Sequence, residues 1–380
     1  MPTPTLQQGL RRSLAVLAAC LALCGALELV LRAVGFEPRP AADPIVIWNV
    51  AEDRALGVGG GLHRFVPRQL WEPRPGAWIP SSWAPDGESV NADAFRGPRR
   101  ERAKPAGVLR IATLGDSSTF GYGVPYASTY SARLEAELAE AGVRAEVLDF
   151  GVIGFTLLQG IERYADRVRA FQPDVVVAAF GSINDHLLAQ GLPDAEKIAA
   201  FAREPSGLAA LGAAAREHSR LVQWCAGGLD ALRGAREGAP TAGLAQDELA
   251  PHAGEVDLEQ RLQGRRRVSL DEFRAALARF SELVRADGAS LVVFSLPRRP
   301  GVEFNSPVLR QYSQAIEEHA RASGDVLCDG RADFRAYRQV EHGDPSLFFL
   351  DGDDVHPSPR GHRRLARALA AAVLAARPAR

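Results

Sequence analysis

Cysteine and lysine are scarce in this chain, and its charges nearly balance. The 380 residues include four cysteines, and only Lys104 and Lys197 among the 45 basic residues are lysines. The cysteines, at positions 20, 24, 225 and 328, are too few for a disulfide scaffold and lack the clustered spacing of a zinc site. The formal net charge of −1 leaves no basic excess, which argues against nucleic acid as the main partner. With 46% hydrophobic residues, the chain can bury a full core.

One long hydrophobic run lies near the N-terminus. Residues 13–31 carry a single charge, at Glu28, and as a helix they would extend about 28 Å, enough to cross a bilayer. Two arginines precede the run, so the positive-inside rule predicts a short cytoplasmic tail (1–12) followed by a transmembrane anchor (13–34) in the inner membrane. The remainder of the chain is then expected on the periplasmic side.

Other interpretations of this segment stay open. The tetrapeptide Leu-Ala-Ala-Cys that ends at Cys20 resembles a lipoprotein cleavage site, although the hydrophobic run continues beyond it. A cleaved signal peptide would need a small-x-small site at the end of the run, and Arg11-Arg12 is a fragment of a twin-arginine signal. A buried helix of a soluble protein is a further alternative. We favour the uncleaved anchor, and both it and the cleaved forms export the bulk of the chain.

Short apolar segments alternate with amphipathic ones in the second part of the chain. Five segments are predicted to be strands, at residues 108–114, 145–150, 174–180, 290–296 and 325–328. Helical spacing of apolar residues predicts helices between most of them and after the last, and the capping box Ser269-x-x-Glu272 begins one of these helices. Strands separated by helices pair in parallel, so the sequence predicts an α/β protein with a doubly wound, flavodoxin-like five-stranded parallel sheet.

Two segments fall outside this alternation. Residues 35–106 are rich in Pro, Gly and Trp, which predicts an irregular leader segment with short strands. Residues 187–264 combine an Ala/Gly/Leu-rich sequence with a polar stretch, and we interpret them as an insertion or lid above the sheet edge. The predicted α/β domain covers residues 107–378.

Polar residues cluster after four of the predicted strands. The four blocks are Gly115-Asp-Ser-Ser118, Gly151-Val-Ile-Gly154, Gly181-Ser-Ile-Asn-Asp185 and, after the fifth strand, Asp353-Asp-Val-His-Pro357. Ligands of open parallel sheets bind beyond the carboxyl ends of the strands, so the blocks are expected to converge at one edge. Together they supply a hydroxyl, an imidazole with a carboxylate, and amide donors. Acyl transfer through a serine nucleophile requires these groups.

At these blocks the chain resembles the SGNH/GDSL hydrolase family. Its members carry a Gly-Asp-Ser block, a glycine block, an Asn-Asp block and an Asp-x-x-His block in this order, and all four occur here in order. The resemblance covers residues 107–186 and 268–376. It implies that Ser117 is the nucleophile, that His356 is the general base, and that Asp353 is the acid that orients the imidazole.

The resemblance also implies an oxyanion hole. The chain departs from the family pattern at two places near it. The implied hydrogen-bond donors are the N–H groups of Ser117 and Gly154 and the side chain of Asn184. One extra residue separates Gly181 from the asparagine, which bears on how far the amide reaches. Asp149 stands where the second block often has asparagine, which is expected to affect a supporting hydrogen bond more than the chemistry.

Two upstream segments resemble the leader of membrane-anchored bacterial members of the family. They are Leu70-Trp-Glu-Pro-Arg-Pro75 and Val90-Asn-Ala-Asp-Ala-Phe-Arg-Gly97, in which phenylalanine follows alanine where glycine is common. The N-terminal hydrophobic run agrees with this type.

Other residues compete for the same roles. Ser117 could be an ordinary helix N-cap, and Ser118 is the nearest alternative nucleophile. Asp351 is an alternative acid in an acidic loop that lacks the spacing of an EF-hand, so no metal site is predicted there. His362 is expected to be structural, whereas His186 is close enough to the third block either to contact substrate or to serve a surface or core role.

The sequence therefore predicts a membrane-anchored, exported serine esterase of SGNH type. It is expected to cleave an O-acyl ester of a carbohydrate, lipid or small molecule of the cell envelope through an acyl-enzyme, without metal or organic cofactor. One alternative is an O-acyltransferase that acts on exopolysaccharide, in which a sugar hydroxyl replaces water. Another is a non-catalytic carbohydrate-binding or assembly protein with the same fold, which would be marked by a broken triad; none of its three residues is missing here.

Overall fold

The computed structural model describes two units of the chain. The described residues are 6–36, 61–189, 192–202, 211, 212, 215, 218–225, 228 and 265–377. The first unit comprises Met1–Asp43 with Arg203–Leu244, and the second comprises Pro44–Ala202 with Ala245–Arg380. Most of the predicted insertion at 187–264, and with it the predicted lid, lies outside the described residues.

A long apolar helix, Leu6–Ala33, belongs to the first unit. Its segment Arg11–Ala33 is long and apolar enough to cross a membrane, a property that a signal sequence would share. The carboxylate of Glu28 accepts hydrogen bonds from the backbone N–H groups of Arg220 (3.0 Å) and Leu221 (2.8 Å) in the same unit. These bonds satisfy the one charged side chain within the hydrophobic run, and they reduce the free-energy cost of placing that charge near a bilayer.

The second unit is built on a parallel sheet. The described strands are β1 (His63–Val66), β2 (Leu70–Pro73), β3 (Leu109–Gly115), β4 (Ala145–Asp149), β5 (Val175–Ala179), β6 (Ser290–Ser295) and β7 (Val326–Asp329). β1 and β2 form an antiparallel hairpin, whereas the other five strands pair in parallel in the order β4-β3-β5-β6-β7. This is the flavodoxin-like strand order, so the predicted fold class is confirmed.

Helices cover both faces of this sheet. In the second unit the described α-helices are Ser117–Phe120, Tyr130–Glu140, Leu157–Asp166, Asp194–Phe201, Leu270–Ala286, Pro300–Asn305, Pro307–Ser323, Gly330–Val340 and Pro359–Ala376. The predicted capping box is present, because the N–H of Ser269 donates to Glu272 Oε2 (2.8 Å) and the N–H of Glu272 donates to Ser269 Oγ (3.3 Å). Each bond satisfies an N–H that has no intrahelical acceptor.

Successive residues of β5 contribute to two separate cores. Val176 belongs to the core that contains Phe280, and Val177 belongs to the core that contains Leu369. Both valines are fully buried. A strand that is covered on both faces has no need of alternating polar residues, which explains the continuous apolar run of this strand in the sequence.

The leader segment forms a third, smaller core beside the loop that follows β3. Its Trp83 clusters with Phe120 and Ile153, which follow β3 and β4 respectively. The backbone N–H of Arg96 donates to the carbonyl of Asp149 (3.3 Å), so the leader also pairs with the end of β4. Residues 37–60 of the leader lie outside the described residues.

The block that contains His356 follows the fifth strand, as predicted, but only after a longer connection. The helix Gly330–Val340 follows β7. The one-turn helix Pro345–Phe348 comes next and leads the chain into the block at Asp353. Both faces of the sheet need cover, and Phe334 of the intervening helix is buried in the core shared with Leu369.

Candidate active site

The serine-containing block forms a tight turn between β3 and the helix Ser117–Phe120. Asp116 is the N-cap of this helix, and its Oδ1 accepts a hydrogen bond from the N–H of Ser118 (2.9 Å). A Cβ atom on Gly115 would lie 1.9 Å from Thr119 Oγ1, so this close approach requires glycine. The turn therefore places Ser117 at the first helical position, directly beyond the carboxyl end of β3.

Ser117, His356 and Asp353 are joined by hydrogen bonds. Ser117 Oγ lies 2.8 Å from His356 Nε2, and His356 Nδ1 lies 2.6 Å from Asp353 Oδ2. A carboxylate only accepts hydrogen bonds, so Nδ1 carries a proton and Nε2 of the neutral ring is an acceptor for the hydroxyl. The structure thus brings together three side chains that come from two distant blocks of the sequence.

Asp353 is fixed within its own loop. Its Oδ1 accepts hydrogen bonds from the N–H groups of Val355 (2.7 Å) and His356 (2.8 Å), while its Oδ2 faces the imidazole. Burial raises the pKa of Asp353, but the hydrogen bonds from His356 and Val355 outweigh burial and lower the pKa to about 2. The carboxylate is therefore ionised at neutral pH. The alternative acid, Asp351, is exposed.

An aromatic ring supports the imidazole from one side. Tyr122 stacks on His356 with ring centroids 4.2 Å apart and planes inclined by 23°. Trp83 of the leader segment packs on Tyr122 in turn, with centroids 4.4 Å apart. Stacking of this kind restricts the orientation of the imidazole ring.

Asp116 organises the opposite side of the serine turn. Its Oδ2 accepts hydrogen bonds from Asn184 Nδ2 (3.2 Å) and Ser182 Oγ (3.4 Å), and the Arg298 guanidinium lies 3.6 Å away. The one-turn helix Asn184–His186 follows β5, and the asparagine reaches this carboxylate despite the extra residue after Gly181. An amide NH₂ has two protons, so the contact with Asp116 leaves one for another acceptor.

The second block lies against the serine turn. A Cβ atom on Gly151 would lie 2.4 Å from the backbone nitrogen of Phe120, so the two loops are in close contact. Gly154 has a φ of +76°, a conformation that favours glycine, and its carbonyl accepts a hydrogen bond from Arg267 (2.8 Å). The N–H of Ser117, as the first of its helix, has no intrahelical acceptor.

A buried arginine from the leader segment holds the far end of the serine turn. Arg96 is 1% exposed, and its guanidinium donates to the carbonyls of Phe120 (2.9 Å), Gly121 (2.7 Å) and Val124 (2.7 Å). It also pairs with the carboxylate of Glu88 (2.7 Å). The turn that carries Ser117 is therefore held by residues outside the sheet domain.

Two further acids behind the site are fully buried. Asp185 accepts hydrogen bonds from the N–H groups of Leu157 and Gly181, both at 2.8 Å. Asp149 Oδ1 accepts from the N–H of Gly151 (3.0 Å), and within the described part of the chain Asp149 Oδ2 has no hydrogen-bond partner. Burial outweighs the hydrogen bonds and raises the pKa of both acids to about 7.

The other candidate histidines, of which His362 is buried and His186 is half-buried, contact residues other than Ser117. His362 Nδ1 accepts a hydrogen bond from the N–H of Tyr130 (3.1 Å), and burial lowers the pKa of His362 to about 3. His186 packs beside Tyr312, and burial, with a smaller effect of Arg266, lowers the pKa of His186 to about 4. Both rings are neutral at pH 7, and the histidine in contact with Ser117 is His356.

The described residues offer no metal site of ordinary composition. Among them, no group of three or more His, Cys, Asp or Glu side chains could hold a metal ion. The cysteines are free thiols, of which Cys225 is exposed and Cys328 is buried. Burial raises the pKa of Cys328 to about 12, so it stays a neutral thiol.

Sequence reasoning missed one buried arginine at the site. Arg298 is 2% exposed, and its guanidinium donates to Ser118 Oγ (3.3 Å), to the carbonyl of Val355 (2.9 Å) and to Ser182 Oγ. It thereby joins three of the blocks. The available signal was its position, because Leu296-Pro-Arg298 follows the carboxyl end of β6, where ligand-binding residues of such sheets are expected.

Solved structures similar to this chain include two ester hydrolases. One is a point variant of an acetyl xylan esterase from Geobacillus stearothermophilus, with 18% sequence identity, 74% of this chain and 100% of that chain covered, and a TM-score of 0.43. Another is a lipase/acylhydrolase from Enterococcus faecalis, with 15% identity, 70% of this chain and 94% of that chain covered, and a TM-score of 0.43. No curated protein sequence matches this chain.

A sequence model of one family matches most of the second unit. It is the GDSL-like Lipase/Acylhydrolase family, and the match covers residues 113–256 and 203–364, two overlapping segments that include all four blocks. This match extends over more than half of the chain. The chain therefore belongs to the GDSL-like lipase/acylhydrolase family and is an ester hydrolase of the SGNH type.

Proposed function

We propose that the chain cleaves carboxylic esters through an acyl-enzyme formed on Ser117. The observation that carries this proposal is the pair of hydrogen bonds from Ser117 Oγ to His356 Nε2 (2.8 Å) and from His356 Nδ1 to Asp353 Oδ2 (2.6 Å). A serine hydroxyl is a poor nucleophile unless a base accepts its proton, and here a base is already in contact with it.

In the proposed acylation step, Ser117 Oγ forms a bond to the ester carbonyl carbon while His356 Nε2 takes the hydroxyl proton. The ionised Asp353 stabilises the resulting imidazolium without itself taking a proton. The bond to the alcohol then breaks, and the imidazolium returns the proton to the leaving oxygen. Water, with His356 again as base, releases the carboxylic acid and regenerates the serine.

Three donors are proposed to stabilise the oxyanion of the tetrahedral intermediate. They are the N–H groups of Ser117 and Gly154 and the side-chain amide of Asn184, which Asp116 orients through a 3.2 Å hydrogen bond. Removal of one such donor costs about 3 kcal/mol of transition-state stabilisation. Because Asp116 also caps the serine helix, one carboxylate positions both the nucleophile and a proposed oxyanion donor.

The proposed substrate is an O-acyl ester of a carbohydrate or lipid in the cell envelope. The helix Arg11–Ala33 supports this location, because as an uncleaved anchor it would hold the hydrolase on the periplasmic side of the inner membrane. Extraction of membranes with alkaline carbonate tests the anchor, which should remain in the pellet. Protease added to spheroplasts tests the orientation, since it should digest the hydrolase domain while a cytoplasmic marker survives.

Labelling with a fluorophosphonate tests the nucleophile directly. The wild-type protein should form a covalent adduct on Ser117, and the Ser117→Ala variant should form none. Ser118→Ala is the matched control, because it removes the neighbouring hydroxyl and should still label. Labelling of Ser117→Ala, or a folded wild type that resists the probe, would exclude the proposed role of this serine.

Product analysis tests whether water is the acceptor. Mass spectrometry of the reaction on an acetylated sugar should detect free acid in water, and addition of an unacetylated sugar should not divert the acyl group. Acylated acceptor as the main product would instead identify a transferase that uses the same acyl-enzyme.

A further inference from the structure

Arg298 is a buried cation among the loops of the proposed active site. It follows the carboxyl end of β6, at the same edge of the sheet as Ser117. Burial of a charged side chain is costly unless other groups pair with it and accept its hydrogen bonds. The groups around this guanidinium therefore indicate what role it serves.

Asp116 is a charged neighbour of Arg298. Arg298 Nη2 lies 3.6 Å from Asp116 Oδ2, and both side chains are almost completely buried. The same carboxylate oxygen accepts the hydrogen bond from Asn184 Nδ2 (3.2 Å). Solvent screens a buried pair of charges only weakly, so the guanidinium compensates much of the negative charge of this carboxylate.

The position of Asp116 creates an electrostatic conflict in the proposed reaction. Its carboxylate orients Asn184, a proposed donor to the oxyanion, yet the carboxylate and the oxyanion are both negative. In a buried site an uncompensated carboxylate would repel the charge that develops on the substrate oxygen in the transition state. The guanidinium of Arg298 offsets this repulsion and leaves the hydrogen bond to the amide in place.

The same guanidinium connects the histidine loop to the serine turn. Its Nη1 donates to Ser118 Oγ (3.3 Å) and to the carbonyl of Val355 (2.9 Å). These two residues adjoin Ser117 and His356, whose side chains are joined by the 2.8 Å hydrogen bond. A planar guanidinium holds its donors in a fixed geometry, so it can keep the two loops at a constant separation.

We propose that Arg298 is a positioning residue, which compensates the charge of Asp116 beside the oxyanion hole and holds the histidine loop against the serine turn. The inference rests on the proposed function, because it assigns a role within the same site. Compensation matters most in the transition state, since the carbonyl oxygen of the bound ester carries no full charge. Loss of the guanidinium should therefore lower kcat and leave KM nearly unchanged.

Steady-state kinetics of Arg298→Gln on p-nitrophenyl acetate test this role. The variant keeps a polar side chain without the charge, so kcat should fall by about 100-fold while KM changes less than about threefold. Arg110→Gln is the matched control, because Arg110 is also buried and paired, with Glu146, but lies near the amino end of β3. Its kcat should stay within about threefold of wild type. Equal losses of kcat in the two folded variants would overturn the proposal.

Arg298→Lys separates the charge of the side chain from its shape. Lysine keeps the positive charge but lacks the planar arrangement of donors, so the variant should retain about one tenth or more of the wild-type kcat. This variant decides the question even if Arg298→Gln does not fold. A folded lysine variant with a loss of about 100-fold would contradict charge compensation and overturn the proposal.

A double-mutant cycle with Asp116→Asn tests whether Asp116 is the charge that Arg298 compensates. Without the carboxylate there is no repulsion to offset, so Arg298→Gln should lower kcat less than about tenfold in the Asp116→Asn background. Losses that simply multiply would overturn the assignment to Asp116. A wild type that neither hydrolyses the ester nor labels at Ser117 would reject both proposals, whereas an active wild type with a fully active Arg298→Gln would reject this one alone.

Discussion

The loop that carries Ser117 is held from two sides by regions of opposite character. The C-terminal loop Asp353–His356 contributes an acid and an imidazole, and it is ordered by hydrogen bonds between residues two or three positions apart. The leader segment contributes the guanidinium of Arg96, which reaches carbonyls 24 to 28 positions away. One region supplies reactive groups, and the other supplies support.

This contrast explains which features a single sequence reveals. A local arrangement such as that of Asp353 repeats as a short motif, because its geometry depends on a few neighbouring residues. Support from a distant arginine leaves no such motif, because any chain that reaches the same carbonyls could provide it. The two regions should therefore respond differently to substitution, the first in turnover and the second in stability.

The largest expected effect is on turnover, in His356→Ala. Without the imidazole, Ser117 has no base in contact, so kcat should fall by about 10⁶-fold. The thermal midpoint should change little, because the lost contact is mainly the ring stacked on Tyr122. Steady-state kinetics on p-nitrophenyl acetate and differential scanning fluorimetry measure the two quantities. Retention of more than about one percent of wild-type turnover would mean that another group activates the serine.

Asp353→Asn should have the next largest effect. The amide can still accept the hydrogen bonds from Val355 and His356, but its NH₂ would face Nδ1 and favour the wrong tautomer, so kcat should fall by about 10⁴-fold. Asp351→Asn is the matched control, since it makes the same change on an exposed acid of the same loop. If Asp351→Asn is the inactive variant, the orienting acid has been misassigned.

The sequence was sufficient to predict the parallel sheet and the contact between Ser117 and His356. Strand positions follow from apolar runs such as that of β5, and the carboxyl ends of parallel strands necessarily share an edge. Arg298 was missed although it follows a strand, because arginine is rarely buried and a buried arginine was therefore not expected at this position. The helix Gly330–Val340 was also missed, since charged residues occupy much of it and few of its residues are strongly apolar.

Support from the leader segment should appear in stability rather than in chemistry. Arg96→Met removes the guanidinium from three buried carbonyls, of which that of Gly121 keeps the N–H of Val124, and it removes the ion-pair partner of Glu88. The free energy of unfolding should therefore fall by about 3–5 kcal/mol. Arg99→Met, in the same segment, removes an exposed pair with Asp93 and should cost less than about 1 kcal/mol. Urea unfolding of both variants measures the difference, and equal losses would show that the leader does not stabilise the domain through this arginine.

The smallest predicted effect is on the pH dependence of stability, and it arises at Asp149, where the leader segment pairs with the end of β4. Its pKa is raised to about 7 by burial, whereas the hydrogen-bonded Asp353 has a pKa lowered to about 2. A carboxyl whose pKa is higher in the folded state than in the unfolded state binds its proton more tightly when folded. Stability is therefore lost as the pH rises from the unfolded-state pKa toward 7.

Asp149→Asn should remove this share of the pH dependence. Relative to the variant, the wild type should lose about 2 kcal/mol of unfolding free energy between pH 5 and pH 7. Asp185 shifts in the same direction, so some decline should persist in the variant. Urea unfolding at several pH values measures the slopes. Parallel curves for wild type and variant would mean that Asp149 is ionised in the fold, with a cation or solvent compensating for its burial.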